Sequence, residues 1–139
     1  MVQPMLKNDL GCVANSKFHK LLRKQGKTSH LNLYWSWHRK LNFGDWIGPY
    51  LFKQVTQVAP MHTRVWGVSG PSSVYFTCGS VFRKIEKPDV AVVWSSGTMD
   101  MTSEPCRPKR TLALRGPLSQ QRFDELGFDV LDIVGDPEL

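Results

Sequence analysis

Val90-Ala91-Val92-Val93-Trp94 runs directly into Ser95-Ser96-Gly97. An unbroken apolar run rich in valine, ending in small polar residues, fits a strand and its terminal turn better than a piece of helix. Because the run is continuous and not alternating, it predicts a strand covered on both faces, as in parallel sheets.

The same arrangement recurs on either side. Val74-Tyr75-Phe76-Thr77 ends in Cys78-Gly79-Ser80, and Thr111-Leu112-Ala113-Leu114 ends in Arg115-Gly116-Pro117. Leu31, Leu33, Tyr34 and Trp35 form an earlier β-prone run. Val130-Leu131-Asp132-Ile133-Val134 forms a last one, before Gly135-Asp136-Pro137. Helical spacing lies between them. Ile47, Tyr50, Leu51 and Val55 predict a helix from Trp46 to Gln57 with Pro49 in its first turn. Val81, Phe82 and Ile85 predict a short helical stretch, and Leu118 to Leu126 a helix closed by Gly127. A polar loop fills Met99 to Lys109. Strands alternating with helices predict an α/β fold with a mostly parallel sheet flanked by helices.

The chain has 139 residues, 41% of them hydrophobic, which suits one domain with its own core. Cys12, Cys78 and Cys106 are odd in number and form no CxxC pair, which argues against a disulfide framework and fits a reducing compartment. His19, His30, His38 and His62 are scattered, none at zinc-finger spacing, so no metal site is expected. No apolar run approaches the ~18 residues of a membrane span. Nor does Met1 to Leu10 resemble a secretory leader, so a cytoplasmic location is the expectation.

The formal net charge of +6 is unevenly spread: residues 1–40 hold eight Lys and Arg against Asp9 alone, and the remainder is near neutral. Residues 1–26 therefore read as a basic lead-in, irregular or partly helical, ahead of an α/β domain over 27–139. Three uses stay open for the basic end: plain solvation, contact with an anion or a membrane surface, and nucleic-acid binding. No recognition-helix, RNP-like or basic-zipper pattern supports the last.

In open α/β sheets, ligands bind outside the carboxyl ends of the strands. Gly79-Ser80 is at one such end: Gly79 permits close backbone approach, Ser80 is placed to cap a following helix, and a helix N-terminus favours an anion. An ordinary βα turn explains the same residues. Ser95 and Ser96 offer hydroxyls for hydrogen bonding; a nucleophilic role lacks an assignable base and a GxSxG elbow. Asn42-Phe43-Gly44-Asp45 joins an amide, a glycine and a carboxylate to the rings of Phe43, Trp46 and Tyr50, a combination suited to carbohydrate. Asp45 equally fits a simple helix cap. Arg115 suits a carboxylate or phosphate, or an internal acid such as Asp136. Neither GxGxxG nor GxxxxGK[ST] occurs.

Taken in order, Asn42-Phe43-Gly44-Asp45 with Gly48-Pro49-Tyr50-Leu51, Gly79-Ser80, Val92-Val93-Trp94-Ser95-Ser96-Gly97, Arg115-Gly116-Pro117-Leu118-Ser119 and Gly135-Asp136-Pro137 resemble the polysaccharide pyruvyl transferase family. The resemblance covers roughly residues 30–139. It implies a Rossmann-like N-terminal half of a GT-B-like two-domain enzyme of exopolysaccharide biosynthesis. Such enzymes move the enolpyruvyl carbons of phosphoenolpyruvate, a donor substrate and not a cofactor, onto a saccharide or lipid-linked saccharide as a ketal. In the family the N-terminal half mainly faces the acceptor, and donor-binding Arg and His residues lie in the second domain. Here only Glu138 and Leu139 follow the Gly-Asp-Pro segment, so the missing wall is expected from a C-terminal half in trans or from a homo-oligomer. Carried over residue by residue, Asn42, Gly44 and Asp45 meet the sugar, with Asp45 the candidate for proton transfer. Gly79, Ser80, Ser95 and Gly97 line the cleft floor, and Arg115 offers charge to an anionic group. The alternative is a non-catalytic carbohydrate-binding or interaction module built on the same fold.

Overall fold

The apolar runs do form strands, and their pairings are all parallel. β1 (Leu31–Tyr34), β2 (Pro60–His62), β3 (Val74–Phe76), β4 (Ala91–Trp94) and β5 (Arg110–Ala113) make a five-stranded sheet in the order β2-β1-β3-β4-β5. These come from a computed structural model that describes residues 31–35, 43–63, 72–129 and 131–136, with the backbone alone at Asp45. The basic lead-in of residues 1–26, Asn42 and Val130 lie outside the described residues.

Strand alternation sorts the side chains into two cores. Leu33 and Trp35 point to one face, where Phe52 of α1 (Phe43–Thr56) packs with them beside Tyr75 and Trp94. The Phe52 ring lies 5.3 Å from Tyr75 and 6.0 Å from Trp94. Val74, Phe76, Ala91 and Val93 point to the other face, against Phe82 and against Phe123 of α2 (Pro117–Glu125). The Phe82 and Phe123 rings lie 4.5 Å apart, tilted against each other, and both are almost fully buried. The helices take opposite faces because β1 to β2 steps one way along the sheet and β5 to the bridged Val134 the other, as right-handed crossovers require. The strand order therefore reverses between β1 and β3. This is a Rossmann-like α/β fold with its topological switch point there.

Four local expectations are corrected. α1 starts at Phe43, three residues before the expected Trp46, so Pro49 falls in the second turn. A proline there loses one backbone bond and crowds a carbonyl, but Pro49 is fully buried and the helix is held against the sheet. The stretch after β3 is only a 3₁₀ turn, Phe82–Lys84, since Pro88 soon interrupts it. A second such turn, Pro88–Val90, takes Val90 out of β4. The last run makes a single parallel bridge, Leu114 to Val134, in place of a full strand.

Gly48 brings α1 close to the end of β3. A Cβ built there meets Thr77 Oγ1 at 3.0 Å and Cys78 Cβ at 3.2 Å. Alanine is better than glycine inside a helix by about 1 kcal/mol, but overpacking typically costs about 1–3 kcal/mol. We predict that Gly48→Ala lowers the denaturation midpoint, with a net loss of up to about 2 kcal/mol. An unchanged or raised midpoint would show that α1 is free to lift from the end of β3.

Candidate functional site

Parallel pairing brings the carboxyl ends of all five strands to one edge, and backbone hydrogen bonds continue past the strands. Gly97 N donates to Gly79 O at 3.0 Å, Ser95 N to Ala113 O at 2.9 Å and Arg115 N to Ser96 O at 3.1 Å. Leu114 N donates to Ile133 O, and Gly135 N to Leu114 O. The segments after β3, β4 and β5 and the 133–135 segment are thus laced side by side. Gly79, at φ +77°, turns out of β3 in a conformation open to glycine at little strain. Ser95 takes a similar φ of +68° without that freedom, a strained position of the kind often found at functional sites.

Gly97 is required by space. A Cβ there would stand 2.7 Å from Ser119 Oγ, 2.9 Å from Arg115 Cβ and 3.1 Å from Arg115 Cδ. Arg115 lies over this gap, and among the described residues its guanidinium is engaged at two points. Nε donates to Asp136 Oδ2 at 2.6 Å in an ion pair, and Nη1 donates to Ser80 Oγ at 3.0 Å. The internal partner left open by the sequence, Asp136, is therefore in place. Ser80 does not cap a helix: Val81 precedes the 3₁₀ turn, no side chain caps it, and three residues make no anion-binding helix end. Ser80 reaches instead across the edge to Arg115.

Two further hydroxyls face inward. Ser96 Oγ and Thr77 Oγ1 are buried and find no hydrogen-bond partner among the described residues. Buried hydroxyls usually have one. Ser119, which the sequence did not single out, is buried in α2 and accepts a bond from Thr98 N at 3.3 Å. Its only signal was its place in the resemblance, since helical spacing does not distinguish a packed serine from a solvated one.

The structure thus brings together Gly79, Ser80, Ser95, Gly97 and Arg115. Gly44 and Asp45 occupy the first turn of α1, so Asp45 is inside the helix and not its cap. This helix touches the same edge through Gly48, against Thr77 and Cys78. The Asp45 side chain lies outside the described residues, as does Asn42. Among the described residues no group of three or more His, Cys, Asp or Glu is placed to hold a metal, and no helix is long and apolar enough to cross a membrane.

Asp100, on the loop after β4, is a separate feature. Its Oδ1 accepts bonds from the hydroxyls of Thr102 and Ser103, each at 2.9 Å, and from their amides at 2.9 and 2.7 Å. The hydroxyl bonds first, then the amides, hold its carboxyl below the usual range. Arg122 fastens the loop to α2, donating from Nε and Nη2 to Ser103 O at 3.0 and 2.9 Å.

Comparison with family models, with curated proteins and with solved structures gives no match to this chain.

We predict that Gly97→Ala displaces Arg115 and costs about 1–3 kcal/mol, read as a lower denaturation midpoint and a moved Arg115 Nε–H resonance. Unchanged values of both would mean that the crowding is relieved elsewhere. For Asp100 the folded-state pKa is depressed, so its contribution to loop order is present above the unfolded pKa and fades as pH falls through the folded value. An NMR titration is expected to place the Asp100 midpoint below that of an unstructured aspartate, with the Thr102 and Ser103 amide signals following it. A midpoint at the unstructured value would dismiss the turn as a source of order.

Proposed function

We propose that this chain is the acceptor-side, N-terminal half of a polysaccharide pyruvyl transferase-like enzyme. It acts in the cytoplasm with a GT-B-like second wall supplied by another domain or chain. The observation that supports this most is spatial. Gly79-Ser80, Ser95-Ser96-Gly97, Arg115-Gly116 and Gly135-Asp136, the segments that carry the family resemblance, are adjacent along one strand-end edge and joined by backbone bonds.

The reaction sets the requirements. A proton adds to the methylene carbon of phosphoenolpyruvate, one sugar hydroxyl adds to the adjacent carbon, and a second displaces phosphate. The two hydroxyl protons are balanced by the new methyl group and the protonated phosphate, and the product is a ketal. An acceptor wall has to orient two hydroxyls of one sugar and leave room for the donor. In this reading Gly44 and Asp45 hold the sugar from α1, together with Asn42 just before it in sequence, and Asp45 is the proton-transfer group. Ser80 and Ser95 hold it from the strand ends, over the backbone of Gly79 and Gly97, with Arg115 behind them.

A second reading, a non-catalytic carbohydrate-binding module, is favoured by one observation: the Arg115 guanidinium already has a carboxylate partner in Asp136. Calorimetry with phosphoenolpyruvate and methyl galactoside, glucoside and mannoside, each titrated into the chain, tests the sugar-binding core of both. One glycoside is expected to bind, and Asp45→Ala is expected to weaken it by tenfold or more with the denaturation midpoint unchanged, as for loss of a charged hydrogen-bond partner. Absence of glycoside binding would remove both readings. Turnover of phosphoenolpyruvate on adding a family C-terminal half in trans would separate the enzyme from the module.

A further inference from the structure

We infer that Arg115 is a positioning residue and not an anion receptor: held by Asp136, it fixes the Ser80 hydroxyl as a hydrogen-bond donor and tunes this edge to an uncharged, hydroxylated ligand. That the ligand is a saccharide rests on the function proposed above; the discrimination against anions does not.

Hydrogen-bond direction carries the first step. A guanidinium only donates, so at the 3.0 Å contact Arg115 Nη1 gives and Ser80 Oγ accepts. The one hydrogen of the Ser80 hydroxyl must then point elsewhere. No acceptor for it is found among the described residues, and Ser80 is only partly buried. A ligand oxygen at the edge would therefore meet a hydroxyl polarised by a neighbouring cation and turned outward.

Charge carries the second step. Arg115 Nε and Asp136 Oδ2 are 2.6 Å apart, with side-chain exposures of 32% and 14%. A short pair this far withdrawn from water is not the loose surface kind, and each charge offsets the other. An anion approaching Ser80 finds the cation already matched by a fixed carboxylate. A sugar oxygen accepts from Ser80 without needing that charge.

Fixation carries the third. The Arg115 backbone amide is tied to Ser96 O, and its Cβ and Cδ fill the space that glycine leaves at position 97. The side chain is thus held at its base by Gly97 and at its head by Asp136 and Ser80. Lysine, a single point charge on a flexible stem, does not reproduce such a two-point hold.

The test follows the Arg115 Nε–H resonance by NMR, and binding by calorimetry. The probes are inorganic phosphate, phosphoenolpyruvate and the three methyl glycosides. In the wild-type chain, phosphate is expected to leave the Arg115 resonance in place. Asp136→Asn keeps the shape but removes the charge, and phosphate affinity should rise by about tenfold, with the Arg115 resonance now responding. Ser80→Ala should weaken glycoside binding by about tenfold and leave phosphate binding as it was. Arg115→Lys should not restore the glycoside affinity of the wild type.

Wild-type phosphate or phosphoenolpyruvate binding that moves the Arg115 resonance overturns the inference, and so does an unchanged phosphate affinity in Asp136→Asn. If Asp136→Asn does not fold, the wild-type phosphate titration decides alone. If no glycoside binds, the proposed function fails, while the phosphate comparison still decides the role of Arg115.

Discussion

Backbone hydrogen bonding beyond the ends of parallel strands is the constraint on which this edge depends. Parallel pairing alone would bring the loops to one side of the sheet. The bonds from Gly97 N to Gly79 O, from Arg115 N to Ser96 O and from Gly135 N to Leu114 O keep them in register after the strands have stopped. Ser95 absorbs the change of direction. Its left-handed backbone costs about 1–3 kcal/mol, and the bonds it allows return about 0.5–1.5 kcal/mol each. The two roughly balance, so the turn persists through its neighbours and not through its own preference. Gly97 then follows as a necessity, because the laced segments bring Arg115 and Ser119 to within a carbon atom's distance of it.

The fold was legible wherever burial on both faces left a continuous apolar run. β4 and β3 are of this kind, and the sheet could be argued from them. β2 was hidden because it opens at Pro60, a residue that reads as a break, although a proline is tolerated at the start of a strand. Its absence from the sequence reading also concealed the switch between β1 and β3, since strand order is a property of pairing and not of any one segment. The 131–134 stretch shows the reverse error. Leu131, Ile133 and Val134 look like a buried strand but are all exposed, and only Val134 is bridged. Hydrophobicity gave the local tendency there, and the surrounding packing did not complete it.

The site was legible as positions but not as relations. Small residues at strand ends could be found by spacing, because the backbone must turn there whatever the ligand. The partner of Arg115 could only be posed as a choice between a ligand and Asp136, as the two lie 21 residues apart. The same applies to Ser80. A serine after a strand fits a helix cap by local rules, but a three-residue 3₁₀ turn leaves little to cap and a guanidinium stands within reach. Long-range pairs of this sort decide the chemistry and leave no periodic trace.

Charge placement gives the edge its character. Lys53 is in the last turn of α1 and Arg110 opens β5, so both lie toward the amino ends of the strands, opposite the site. Arg107 faces Asp129, Gly127 O and the Phe128 ring, and Arg122 is engaged by Ser103 O and Glu125. Arg115 is matched by Asp136. Along the sequence, the chain's positive excess is concentrated in residues 1–40. A donor bearing both a carboxylate and a phosphate needs cations aimed at it as phosphate departs. Under the proposed function, serine hydroxyls beside an ion-paired arginine serve the other reactant, whose hydroxyl groups need direction more than charge. On that proposal, a facing wall that supplies cations to the donor complements an edge that directs hydroxyls, which is the division of labour a two-walled cleft allows.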